Sequence, residues 1–201
     1  MIQHCRNNSK LDWLHLVIVA LSHTGLRIKE LVGLRWSDIS KGDTSWTLKL
    51  LDERSYRTPE SVRRKLKNKK GRSIPMHPRL KSLLDKAPRS TDGYIFRNSR
   101  GGKLNEGTAR TWLTKHVLKP LALKFPSTPG VPGFANGTLH SFRHYFISEC
   151  VAQKIAERVI LDWVGHSSSA ILQLYYTQRT QQSADQMNNL RFGNAESEKS
   201  A

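Results

Sequence analysis

The sequence predicts an α+β domain that is mostly helical and carries one small antiparallel sheet. Three observations lead there. Apolar residues recur at helical spacing in four stretches, near positions 10–22, 105–117, 138–152 and 152–163. Only between about 45 and 75 does the pattern turn to strand-like alternation followed by a turn signal. A chain of 201 residues is long enough for one substantial core and is most simply one domain.

In order, residues 1–10 form a polar N-terminal segment expected to be poorly ordered, with Ser9 as an N-cap and Asp12 completing a capping box. A helix from Lys10 to Ser22 carries Leu11, Leu14, Val17, Ile18 and Leu21, a wide apolar face suited to the centre of the fold. Thr24-Gly25-Leu26-Arg27 follows, with Glu30 and Leu31 behind it and a Trp36-Ser37-Asp38-Ile39 exit. Trp46, Leu48 and Leu50 alternate with polar residues as a strand. After a segment containing Pro59, Arg63 to Arg72 holds seven Lys or Arg in ten residues and closes at Ile74-Pro75. A turn at 69–71 would make that stretch a hairpin pairing with the Trp46 strand.

Pro78 suits the first position of a short helix with Leu80, Leu83 and Leu84. Gly93 to Phe96 reads as a brief buried strand. Asn105 caps a helix whose stripe is Ala109, Trp112, Leu113, His116 and Val117, with His116 packed rather than a ligand; Pro120 ends or kinks it. A loop rich in proline and glycine, 126–137, leads to Thr138, an N-cap that places His140 and Arg143 near a helix start, three residues apart on one face. The next helical pattern, Ala152 to Trp163, buries Ile155, Val159, Ile160 and Trp163. Ser167, Ser168 and Ser169 then offer caps for a helix bearing Ile171, Leu172, Leu174, Tyr175 and Tyr176. Residues 193–201 read as a disordered tail, leaving 11–192 as the domain.

The 33 Lys and Arg outnumber 16 Asp and Glu, a formal charge of +17 that points to a polyanionic partner, nucleic acid being the commonest. A merely basic soluble protein is the alternative that charge alone leaves open. Cys5 and Cys150 form no metal or redox pair, which favours reduced thiols and a cytoplasmic chain. The longest apolar run, Leu16 to Leu21, is far too short for a bilayer.

The chemistry-bearing pattern is His140-x-x-Arg143, then Gly165-His166, then Tyr175 nine residues later, with Arg27 upstream in its Thr-Gly-Leu-Arg box. A helix N-terminus beside His140 and Arg143 favours an anion such as phosphate. Alone, Arg27 would be a surface arginine paired with Glu30. His140 and His144, four apart, also raise a zinc site, but no Glu follows His140 and no third ligand has suitable spacing.

The ordered set resembles the catalytic core of the tyrosine recombinase (phage integrase) family, over about Leu11 to Thr177. That resemblance implies the family's catalytic-domain fold and DNA breaking and rejoining through a 3′-phosphotyrosyl intermediate, with no cofactor and no metal. It implies Arg27, Lys67, His140, Arg143, His166 and Tyr175 as catalytic residues, with Glu30 orienting Arg27 from behind. The family's Lys-x-Gly-x-x-Arg-x-Val-Pro pattern selects Lys67, eight residues before Pro75, and Arg72 and Ile74 match it. Position 69 is lysine where the pattern has glycine, so Lys65, Lys69 and Lys70 stay open as the working lysine. Arg63, Arg64, Lys65, Lys69, Lys70 and Arg72 are expected to attract DNA phosphates. Tyr176 stays open as the nucleophile, its alternative role being core packing.

Double-stranded DNA is the implied partner, a homotetramer on two duplexes the implied assembly, and the cytoplasm, at the nucleoid, the implied location. Relatives carry an N-terminal core-binding domain that this sequence is expected to lack. The competing readings are a non-catalytic DNA-binding remnant and a type IB topoisomerase.

Overall fold

The computed structural model describes residues 1–42, 45–57, 63–67 and 69–165. Its centre is helix α2, Asp12–Thr24, in which Leu14 and every residue from Val17 to Ser22 is buried. A helix apolar nearly all round needs partners on several sides. It packs on α1 (Ile2–Arg6), α4 (Pro78–Asp85), α5 (Glu106–Leu113) and α7 (Ser141–Ala152).

The N-terminal segment is ordered, contrary to its polarity. Cys5 on α1 is fully buried, and Asn8, not Ser9, caps the short 3-10 turn Ser9–Leu11 by accepting the Lys10 N–H. The imidazole of His4 bonds the carbonyl of His116 at 2.8 Å. That carbonyl is the one Pro120, lacking an N–H, leaves without an i+4 donor. The chain answers the proline with a π-helical turn, Thr114–Leu118, between α5 and α6 (Lys119–Lys124), so the helical run continues past the proline and does not end there. Asn105 caps α5 from its side-chain oxygen, and the His116 ring lies against Trp112 with centroids 4.5 Å apart.

The sheet among the described residues has three antiparallel strands in the order β1 (Ile39–Lys41), β2 (Trp46–Leu50), β3 (Arg72–Pro75). Leu48 faces Ile39 on one side and Ile74 on the other, and Leu48, Leu50 and Ile74 are buried while Lys49 and Ser73 face water. The expected strand at Arg63 is not formed: β3 pairs directly with β2, and the described residues 63–67 lie outside the ladder. Gly93–Phe96 likewise makes only an isolated bridge, Tyr94 to Arg35, although Ile95 and Phe96 are buried.

At the C-terminal end, α7 runs to Ala152. Lys154 turns left-handed at φ 58, and α8 (Glu157–Val164) begins five residues later than the apolar pattern suggested. Ile160 is buried in the cluster that α8 forms with α7, whereas Val159 is exposed among the described residues.

Candidate active site

The Arg27 box begins where α2 stops. Gly25 takes a left-handed conformation, φ 62, and its N–H bonds the Leu21 carbonyl, closing the helix. A Cβ there would stand 2.4 Å from the Phe146 ring, so glycine is required by packing as well as by φ. Thr24 turns its hydroxyl back to the Ala20 carbonyl at 2.6 Å. Arg27 then sits at the N-cap of α3 (Ile28–Val32), its N–H donating to Glu30 Oε2 at 2.9 Å and its Nη1 to Glu30 Oε1 at 3.4 Å. The Arg27 side chain is 25% exposed, enough for a phosphate oxygen to reach it.

Glu30 is itself buried and holds a second, closer arginine. Arg72 donates Nη1–H to Oε1 at 3.1 Å and Nη2–H to Oε2 at 2.7 Å. Burial alone would raise the Glu30 pKa, but the bonds and charge of Arg72, and then those of Arg27, outweigh it and hold the carboxyl below its ordinary value.

Thr138 does not cap α7 directly. Its hydroxyl accepts the His140 N–H at 3.2 Å and its own N–H donates to Ser141 Oγ, which makes a turn and leaves His140 as the residue before the helix. His140 is exposed, and Arg143 is 1% exposed, so the two do not share one open face. The Arg143 guanidinium donates to the Gly25 carbonyl at 2.5 Å and to the Val164 carbonyl at 2.6 Å, tying the start of the Arg27 box to the end of α8. His140 and His144 meet edge to face with centroids 4.8 Å apart. Desolvation, and then electrostatic interaction with His144 and with the guanidiniums of Arg143 and Arg27, lower the His140 pKa, which favours the neutral imidazole, able to accept a proton, at pH 7. Among the described residues no group of three His, Cys, Asp or Glu is placed to hold a metal ion.

Arg27 and His140 line the same recess of about 530 Å³, together with Arg110, Thr114 and Thr138. Sequence reasoning had no signal for Arg110, an exposed helix residue in an i,i+4 pair with Glu106.

The basic stretch divides in two. Lys65, Lys67, Lys69 and Lys70 are exposed and Arg63 is partly so. Arg64 is buried, its Nη2 within 2.8 Å of Asp38 Oδ1 and 3.1 Å of Glu53 Oε1, while its N–H donates to Glu53 Oε2. Asp52 accepts the Leu66 N–H, and Arg54 donates to the Leu66 carbonyl. The segment is therefore pinned with Arg64 and Leu66 inward and Lys65 and Lys67 outward. Arg64 and Arg72, expected to face DNA, are directed into the protein. The signal that could have shown this is parity: each stands two residues from a core residue, Leu66 or Ile74. Lys69, at the position where the family pattern has glycine, adopts φ 54, the conformation glycine takes freely.

His166, Tyr175 and Tyr176 lie outside the described residues. The last described residue, Gly165, caps α8 in the left-handed region at φ 66, its N–H bonding the Leu161 carbonyl. Among the described residues no helix is long and apolar enough to cross a membrane.

A family model described as the phage integrase family matches residues 1–182. The chain is 26% identical over 165 residues to an integrase/recombinase of Sinorhizobium fredii, covering 80% of this chain and 44% of that protein. It is 28% identical to tyrosine recombinase XerC of Methylobacterium nodulans, covering 79% and 43%. The chain thus spans under half the length of these two relatives. Among solved structures, the Tn1549 transposon integrase in complex with a circular intermediate DNA superposes with a TM-score of 0.69 at 20% identity, covering 94% of this chain and 62% of that one. XerA recombinase superposes with a TM-score of 0.64 at 18% identity, covering 95% and 62%. These likenesses show a shared fold, that of tyrosine recombinase catalytic domains.

Proposed function

The chain belongs to the phage integrase family, and from that premise we propose that it is the catalytic domain of a site-specific DNA recombinase that breaks and rejoins double-stranded DNA. The observation that carries this reading is that Arg27 and His140, far apart in sequence, line one recess, with Arg143 near enough for its charge to act on His140.

A scissile phosphate in that recess meets three needs. Its extra negative charge in the pentavalent transition state is balanced by Arg27, which a phosphate oxygen reaches directly, and by the buried charge of Arg143 behind it. His166 donates a hydrogen bond to another phosphate oxygen. The nucleophile is Tyr175, whose phenol costs roughly 4 kcal/mol to ionise at pH 7 from a free pKa of about 10. Neutral His140 takes that proton as the tyrosine–phosphorus bond forms. The bond from phosphorus to the 5′ oxygen breaks, and Lys67 supplies the proton that leaves a 5′ hydroxyl. Attack by another strand's 5′ hydroxyl reverses these steps and releases the tyrosine.

DNA as the partner is supported by the charge of +17 and by relatives whose structures are complexes with DNA, the Tn1549 integrase and XerH among them. Assembly into a tetramer on two duplexes is part of the same reading, as is a place at the nucleoid. The segments 1–10, 11–192 and 193–201 stand as the proposed division of the chain, although α1 and the family match both run into the first of them.

The test is covalent trapping on a pool of nicked suicide duplexes, with the parent protein beside Tyr175→Phe and Tyr176→Phe. An SDS-stable, protease-sensitive adduct lost only in Tyr175→Phe is the expected result. Loss only in Tyr176→Phe moves the nucleophile by one residue. Binding without any adduct refutes catalysis by this chain and leaves a DNA-binding remnant.

A further inference from the structure

Arg72 is the guanidinium that the phosphate chemistry leaves without a task. It stands on β3, on the same face as Ile74, and its side chain is 9% exposed. One N–H on each Nη grips Glu30 as a planar fork, and Nε–H donates to the Trp163 carbonyl at 2.9 Å. Three of its five N–H donors, one on each nitrogen, are thus engaged within the protein.

What lies at the two ends of this link gives it a role. At one end Glu30 also accepts the backbone N–H and a guanidinium N–H of Arg27. At the other, Trp163 is in the last turn of α8, two residues before Gly165 and three before the position of His166 in the chain. A Cβ on Gly165 would stand 2.9 Å from Arg72 Nη1, so the guanidinium lies flat against that turn. Helix-end carbonyls lack intrahelical donors and attract cations. Here Arg72 takes the carbonyl of Trp163 and Arg143 that of Val164.

We propose that Arg72 is a positioning residue that touches no DNA and sets the spacing between Arg27 and the turn entering His166. The inference rests on the reading that Arg27 and His166 act on one phosphate. Three bonds in one plane hold Glu30 and the Trp163 carbonyl at a fixed separation, which a lysine ammonium, a point donor on a flexible stem, cannot reproduce. A misplacement of about 1 Å between groups that share a transition state costs on the order of a hundredfold in rate.

The experiment compares the parent chain with Arg72→Gln, Arg72→Lys, Glu30→Gln and the double variant Arg72→Gln/Glu30→Gln. Single-turnover adduct formation and DNA affinity across salt are measured for each. Arg72→Gln is expected to slow the adduct step about a hundredfold, with Arg72→Lys restoring little of it. The slope of log affinity against log salt should not change. The double variant should be no slower than the slower single variant, because both remove one link. A slope shallower by about 0.9 would mean that Arg72 neutralises a phosphate, and additive losses would mean that it does not act through Glu30; either overturns the proposal. Amide hydrogen exchange supplies a readout that needs no catalysis. Protection at the Arg27 and Gly165 amides should fall at least about tenfold in Arg72→Gln, with the amide of Phe125, the residue that caps the end of α6, unchanged. Loss at all three, or at neither Arg27 nor Gly165, refutes the link. If the parent forms no adduct while the two amides respond as expected, the catalytic reading fails and the link stands.

Discussion

Replacing Arg143 with lysine tests the joint that holds the site together. The native guanidinium spans two backbone carbonyls, Gly25 at 2.5 Å and Val164 at 2.6 Å, from a side chain that is 1% exposed. One ammonium nitrogen cannot occupy both donor positions, so one bond is lost. A hydrogen bond to a charged group contributes about 1.5–3 kcal/mol, and a buried carbonyl left without a donor costs about 1–3 kcal/mol. The two figures describe overlapping parts of one loss, so the expected net destabilisation is about 2–4 kcal/mol. For a chain of this size each kcal/mol lowers Tm by about 2–4 °C, so a fall of roughly 4–16 °C should follow. Urea unfolding followed by tryptophan fluorescence gives the same quantity as a midpoint shift at constant m. A loss below about 1 kcal/mol at unchanged m would refute the argument, since it would mean that the two carbonyl bonds are not what hold Gly25 to the end of α8.

Three further outcomes follow from the site. Gly165→Ala places a side chain at φ 66 and against Arg72 Nη1, so it should destabilise by at least about 1–2 kcal/mol; an unchanged urea midpoint would contradict that geometry. Lys69→Gly should stabilise, by up to about 1 kcal/mol, because φ 54 strains lysine and not glycine, and a lower midpoint would count against the left-handed turn. His144→Ala removes a ring whose electrostatic interaction disfavours protonation of His140 and should raise the His140 pKa towards its ordinary value, read by NMR titration of the His140 ring; a downward move would refute the coupling. The same titration bears on stability. The folded pKa of His140 is depressed, so its contribution is fully present above the ordinary value of 6.5 and is lost as pH falls through the folded value. Glu30 follows the same sign at lower pH: its contribution is present above about 4.5 and lost on further acidification, and Glu30→Gln should flatten that acid limb.

The sequence by itself determined the central helix and most of the helices around it, and it led to the set of chemical residues proposed for the site. Helical spacing marked α2, α4, α5 and α7 and cap chemistry marked Asn105, while the family resemblance of the ordered motif led to the expectation of Arg27, His140 and Arg143 at a phosphate site. Such features are local, because hydrophobic period and capping depend on neighbours within a turn or two. What only the tertiary structure decided is which charges face water. Arg64, Arg72 and Arg143 look in sequence like Arg63 and Arg27, yet carboxylates and carbonyls brought from α3, the Trp36–Asp38 turn, the Asp52–Glu53 segment after β2 and the end of α8 draw them inward. The N-terminal helix was missed for a related reason: its Cys5 is buried only once α1 packs on α2, and His4 answers a carbonyl freed by Pro120 more than a hundred positions away. A buried charge is stable only beside its partners, and those partners are assembled by the fold.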